Sequence, residues 1–248
     1  MKAQQRAISG PEGKSSGLPG SPWLLPVGLL VLSAIPVGAG LVRLSRLAIG
    51  EAVTAENARF FASPLPVVVH VISASLFCVL GAFQFLPALR QGGHRWHRVA
   101  GRLLVPFGVA AALSGLWMTL FYALPAGSDE NVMLFRRVFG LLQLVRLFVG
   151  TGMVVSLCLG VSAIRTRAFE RHRAWMTRAY ALGMGAGTQA MISVPWLLIV
   201  GPPEGTVRVL LMVSGWLINV SVAERFIRTR ATATLHLARR RMVLPAIQ

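Results

Sequence analysis

A chain of 248 residues that is 54% hydrophobic and only 13% charged, with a mean hydropathy of +0.64, cannot be an ordinary water-soluble domain. Its formal net charge is +17. That excess does not point to nucleic acid, because the basic residues gather at the ends of apolar stretches, where membrane proteins carry them.

The first 21 residues are rich in Gly, Ser, Pro and Gln and carry Lys2, Arg6 and Lys14. They have nothing to bury and read as a disordered cytoplasmic tail, residues 1–21. The first apolar run, 23–42, is long for a signal-peptide core, and Arg43 and Arg46 follow where small cleavage-site residues would stand. It reads as a retained membrane span. The second run, 65–87, holds His70 about 7 to 8 Å below its start, at 1.5 Å per residue. Gln84 lies four helical turns further on and on nearly the same face. The third run, 103–124, follows the cluster His94, Arg95, Trp96, His97, Arg98 and Arg102. The fourth, 138–164, is longer than a perpendicular crossing requires, and the i,i+3 spacing of Gln143 and Arg146 projects both from one side. A second basic cluster, Arg171, His172, Arg173, Trp175 and Arg178, leads into the fifth run, 179–201. The sixth, 209–227, carries Asn219 and Glu224 and opens into a basic tail, 228–248. Since a spanning helix takes about 20 apolar residues, the chain is expected to be an all-α integral membrane bundle, with six transmembrane helices in a single domain, 22–227.

Charge sets the expected orientation. With both termini in the cytoplasm, the two Arg/His clusters and both tails fall on the inner side, while Glu51, Glu56, Asp129, Glu130 and Glu204 fall outside, as the positive-inside rule requires. The inner face would then attract anionic lipid headgroups, at about 1 kcal/mol per basic residue near the surface.

Two places could carry chemistry. His97 and His172 begin different spans at the same depth, the precondition for ligating one b-type haem, and Arg98, Arg102, Arg173 and Arg178 could hold its propionates. The same residues equally make juxtamembrane belts, with arginines on lipid phosphates and Trp96 and Trp175 at the headgroup level. A zinc site would need His94 or Glu170 as a further ligand, and no recognised metal spacing exists. Near the outer face, His70, Gln143 and Arg146 suggest a polar site for an anion, a quinone headgroup or a proton. Against this stand a neutral histidine bonded across helices and an arginine snorkelling to the interface. Gln189 and Asn219 suit cross-helix glue, Gly183, Gly185 and Gly187 suit close helix approach, and Cys78 and Cys158 suit packing. Glu224 has Arg228 as an i,i+4 partner. No nucleophile and base pair, phosphate-cradling loop or carboxylate pair occurs, so no catalytic residue is assigned.

His70, Gly81-Ala-Phe-Gln84-Phe85, Arg90, His97-Arg98-Val-Ala-Gly101-Arg102 and His172-Arg173-Ala-Trp175-Met176-Thr-Arg178-Ala-Tyr180 together form a specific pattern. On these motifs, residues 67–195 resemble the domain-of-unknown-function 2306 family of bacterial membrane proteins. The resemblance implies a multi-pass protein of the bacterial inner membrane and brings no activity with it. The chain departs from the pattern at Gly187-Thr188-Gln189-Ala190, where many members hold a basic residue. A looser architectural similarity links it to b561-type cytochromes, but those pair histidines on both faces, and this chain offers a pair on one. Two readings remain open: a b-type haem or ligand-binding redox protein, and a non-catalytic transport or accessory protein whose Arg/His belts bind lipid phosphates.

Overall fold

The computed structural model describes the backbone of residues 23–86, 94–122 and 132–243, and the side chains of residues 23–86, 95–122 and 140–232. Expectations for the tail 1–21, for Arg90, Asp129 and Glu130, and for the side chains of His94 and of the basic tail beyond residue 232 lie outside these limits.

The described residues form eight helices: α1 (Leu24–Ala48), α2 (Ala58–Ala62), α3 (Pro64–Phe83), α4 (His94–Phe121), α5 (Val132–Arg165), α6 (Phe169–Gly183), α7 (Gly185–Ile199) and α8 (Gly205–Val243). Six units are long and apolar enough to cross a membrane, with α6 and α7 together making the fifth. Lipid offers backbone groups no hydrogen bonds, so helices are how such segments satisfy them. The outward side chains agree: Val31, Leu113, Phe148, Leu198 and Leu217 are all exposed. In water such a belt would aggregate.

The helices depart from the apolar runs in three ways. First, α4 and α6 absorb both basic clusters into their opening turns, because hydropathy marks the lipid-facing length of a helix rather than its hydrogen-bonded length. Second, α8 continues through the basic tail to Val243. Third, the fifth unit breaks at Met184, between Gly183 and Gly185. Each glycine weakens a helix by about 1 kcal/mol relative to alanine, and each here has a neighbour where a side chain would be: Phe77 against Gly183, Trp216 against Gly185 and the Leu32 backbone against Gly187. The expected close approach is present, and the break comes with it.

Consecutive spans pack as neighbours, α1 on α3, α3 on α4, α4 on α5 and α5 on α6. The broken fifth unit then runs through the bundle, α6 against α5 and α8, α7 against α8 and α1. Phe77, Leu104, Met153, Leu157, Ala179, Tyr180 and Met184 form its core. Tyr180 is the cross-tie: its hydroxyl donates to the Cys78 carbonyl at 2.7 Å, and its ring packs on Phe85 at 5.2 Å. Gly81 lies so close to that ring that a β-carbon would overlap it. Gly81→Val should therefore cost about 1–3 kcal/mol through overpacking. Thermal unfolding in detergent should show the loss, and adding Tyr180→Ala should relieve part of it. Cys78 is buried as expected, whereas Cys158 is exposed on the outer surface of α5 and does no packing within the bundle.

Candidate functional site

A cavity of about 480 Å³ lies between the spans, in the half of the bundle that carries α2. All six spans and α2 contribute to its wall. Its size falls within the range that holds small organic ligands. By helical rise, Ser33 on α1 and Met184, at its floor, lie about 22 Å below the α2 end, whereas His70 lies about 9 Å below the start of α3.

His70, Gln143 and Arg146 all line this cavity. The His70 Nδ1 lies 2.8 Å from the Ala111 carbonyl and 3.2 Å from the Ser114 hydroxyl, whose own proton goes to the Ala110 carbonyl at 2.6 Å. A carbonyl only accepts, so Nδ1 is the donor, and in the neutral ring Nε2 remains an acceptor. Gly115 makes room for the ring, since a β-carbon there would sit 3.2 Å from its Cε1. His70 is thus bonded across helices, as one expectation had it, and also lines the cavity.

Arg146 is half-buried, and its Nη2 approaches the Met212 sulfur at 3.9 Å, a weak acceptor. No carboxylate pairs with it among the described residues, and the charges that bear on it are Arg208 and Arg59. Arg59 lines the same cavity. Burial, then the nearby Arg43 and Arg208 cations, lower its pKa below the usual arginine value. A guanidinium nevertheless stays charged at physiological pH. The charged side chains among the described residues that line the cavity, Arg59 and Arg146, are thus both cationic, a setting that favours an anion.

The α2 segment forms the cavity's upper wall. Asn57 closes a turn by accepting from the Thr54 amide at 2.6 Å, α2 follows, and the Tyr122 hydroxyl donates to the Ser63 carbonyl at 2.7 Å. Phe60 is flanked by Arg43 at 4.3 Å and Arg59 at 4.8 Å, with Tyr122 edge-on at 5.5 Å. A second cavity of about 350 Å³, lined by Arg43, Arg46, Glu51 and Asn57 among others, shares Arg59 and Phe60 with the first. Sequence reasoning missed Arg59 and Tyr122. A five-residue helix is too short for periodicity to reveal; the one available signal was an arginine beside two phenylalanines, just ahead of Pro64.

At the opposite, basic end, His97 stands in the first turn of α4 with its Nδ1 buried, and His172 stands in the first turn of α6. The His172 Nδ1 donates to the Gly160 carbonyl of α5 at 2.8 Å. Arg98 and Arg102 are exposed. Arg173 pairs with Glu170 at 2.7 Å, and Arg178 holds Glu224 of α8 through two bonds, at 2.5 and 3.0 Å. The local Glu224 to Arg228 pair expected from i,i+4 spacing gives way to this cross-helix fork, because a planar guanidinium matches both carboxylate oxygens at once. Trp175 stacks on Arg178 at 4.7 Å. Much of the His172 to Tyr180 motif thus ties α6 to three other helices. No group of three or more His, Cys, Asp or Glu suited to a metal occurs among the described residues.

Two cross-helix amides act as the sequence suggests. Gln189 donates to the Met212 carbonyl at 2.7 Å while also lining the cavity. Asn219 accepts from Thr188 at 2.6 Å and donates to the Ala181 carbonyl at 3.1 Å, bridging the two halves of the broken unit. Tyr180→Phe, which removes only the hydroxyl tie to Cys78, should cost about 1 kcal/mol. Thermal unfolding would measure it.

No curated protein matches the chain, and no solved structure does. The sequence profile of DUF2306, a family described as a predicted membrane protein, matches residues 67–227. The match runs from α3 into α8, takes in His70, Gln143, Arg146 and the Arg178 to Glu224 tie, and leaves out α1 and α2 with Arg59. The chain therefore belongs to the DUF2306 family of predicted membrane proteins.

Proposed function

We propose that this multi-pass membrane protein binds a small organic anion in the cavity between its spans, as a ligand-binding or transport component of the membrane. The observation that carries this reading is Arg146, a half-buried cation with no carboxylate partner among the described residues, which shares a cavity with Arg59. Keeping such a charge within a membrane is costly unless something uses it. The second cavity at the α2 end, lined by Arg43, Arg46 and Arg59 with Glu51 and Glu56, adjoins the first at Arg59 and Phe60 and provides an approach from the surface. The distribution of basic residues supports an orientation with the α2 end facing outward and both termini in the cytoplasm, in a bacterial inner membrane. The basic end would then rest on anionic headgroups.

Trp216 lines the cavity and serves as a reporter. Titrating the purified protein with hexanoate and with 1-hexanol should give a saturable change in tryptophan fluorescence for the anion, at least tenfold weaker for the alcohol. Equal responses, or none, would overturn the reading.

A second reading, haem ligation by His97 and His172, is favoured by one observation. The His172 Nδ1–H is held by a carbonyl, which leaves Nε2 available as a metal ligand in the manner of oriented ligating histidines. Against it, Arg173 and Arg178 are already engaged by carboxylates. Expression with ample haem decides it. A stoichiometric Soret band with an α-band sharpening on reduction, lost in His97→Ala and His172→Ala, is the expected signature; a featureless spectrum sinks the idea.

A further inference from the structure

We infer that the ligand is a single-chain amphiphile with an anionic head, bound head toward the α2 end and chain toward the bilayer middle. This deepens the anion-site reading and rests on it. The evidence is the cavity's polarity along its depth. Arg59, Tyr122, Gln143 and Arg146 line its upper part, whereas the wall around the Met184 break is made by Phe77, Met153 and Leu182. By helical rise, about 13 Å separates the level of His70 from the floor. A compact anion such as phosphate would leave that length of apolar wall unused, and a neutral apolar molecule would leave the Arg146 charge unanswered.

The floor suits a chain. Met153 and Met184 have flexible thioethers that adapt to irregular apolar shapes, and Ala186, in the first turn of α7, lines the cavity with a side chain too small to fill it. The buried Ser33 offers no polar competitor, because its hydroxyl donates to the Leu29 carbonyl at 2.7 Å. At the head, the wall shared with the surface cavity at Arg59 and Phe60 places Arg43, Arg46 and Arg59, together with Glu51 and Glu56, along the route a charged group would take. A carboxylate and a phosphate head would meet the same guanidinium chemistry.

The test is a chain-length series on the full-length protein held in amphipol: hexanoate, decanoate, octadecanoate and decyl phosphate, followed by Trp216 fluorescence. Decanoate should bind at least tenfold more tightly than hexanoate, since each buried methylene contributes about fourfold, and octadecanoate should gain nothing more once the floor is reached. Decyl phosphate binding more tightly than decanoate would make the head a phosphate; weaker binding would make it a carboxylate. Ala186→Leu should erase the decanoate advantage, with an unchanged melting curve showing that the variant is folded; Ala74→Leu, on the opposing wall, repeats the test. If hexanoate binds and lengthening the chain brings no gain, the amphiphile inference fails and the anion site stands. If no member of the series binds, both fail.

Discussion

Arg146→Gln should weaken hexanoate binding about ten- to hundredfold with little loss of folded protein. A hydrogen bond to a charged group contributes about 1.5–3 kcal/mol, and each 1.4 kcal/mol is about tenfold in affinity. Stability should be spared because, among the described residues, Arg146 has the weakly accepting Met212 sulfur, at 3.9 Å, as its hydrogen-bond partner, so removing the charge breaks little. Arg146→Lys keeps the charge but loses the planar fork and should fall between the two. The measurement is the hexanoate titration beside a melting curve for each variant. A binding loss matched by an equal loss of folded protein would make Arg146 a structural residue instead.

The opposite pattern is expected at the basic end. Arg178→Ala and Glu224→Ala should each destabilise the protein, because each strands a half-buried charge of opposite sign on a neighbouring helix. Both side chains keep about 30% of their surface exposed, so the coupling should stay within about 0.5–3 kcal/mol, the range for contacting residues. The double variant should then be no less stable than the worse single one, and Arg178→Glu with Glu224→Arg should recover part of the loss. Hexanoate binding should be unchanged in all of them. Additive losses in the double-mutant cycle would show that the fork contributes nothing beyond its separate halves.

The six spans were legible because lipid imposes a coarse requirement, enough consecutive apolar residues, that composition alone reveals. What hydropathy could not show was where hydrogen bonding begins and ends. The clusters around His97 and His172 therefore read as flanks of their helices and turned out to be opening turns. The break at Met184 was visible only as three glycines, and glycine spacing does not distinguish a close-packed straight helix from an interrupted one. Of the cavity, the pairing of Gln143 with Arg146 was readable from i,i+3 spacing, and His70 from its depth. Local periodicity has no means of bringing in Arg59 from a five-residue helix or Tyr122 from the far end of α4. The same limit explains Glu224: sequence offers its neighbour Arg228, whereas packing offers Arg178.

The central claim is that an organic anion occupies the cavity beside Arg146, and photolabelling tests it most directly. A diazirine-bearing benzoate, irradiated with the protein and mapped by peptide mass spectrometry, should attach to cavity residues such as Met184, Met153 or Leu182, and excess hexanoate should suppress the adducts. Adducts confined to lipid-facing residues such as Phe148 and Leu198, or to the basic end around His172, and indifferent to hexanoate, would contradict the account.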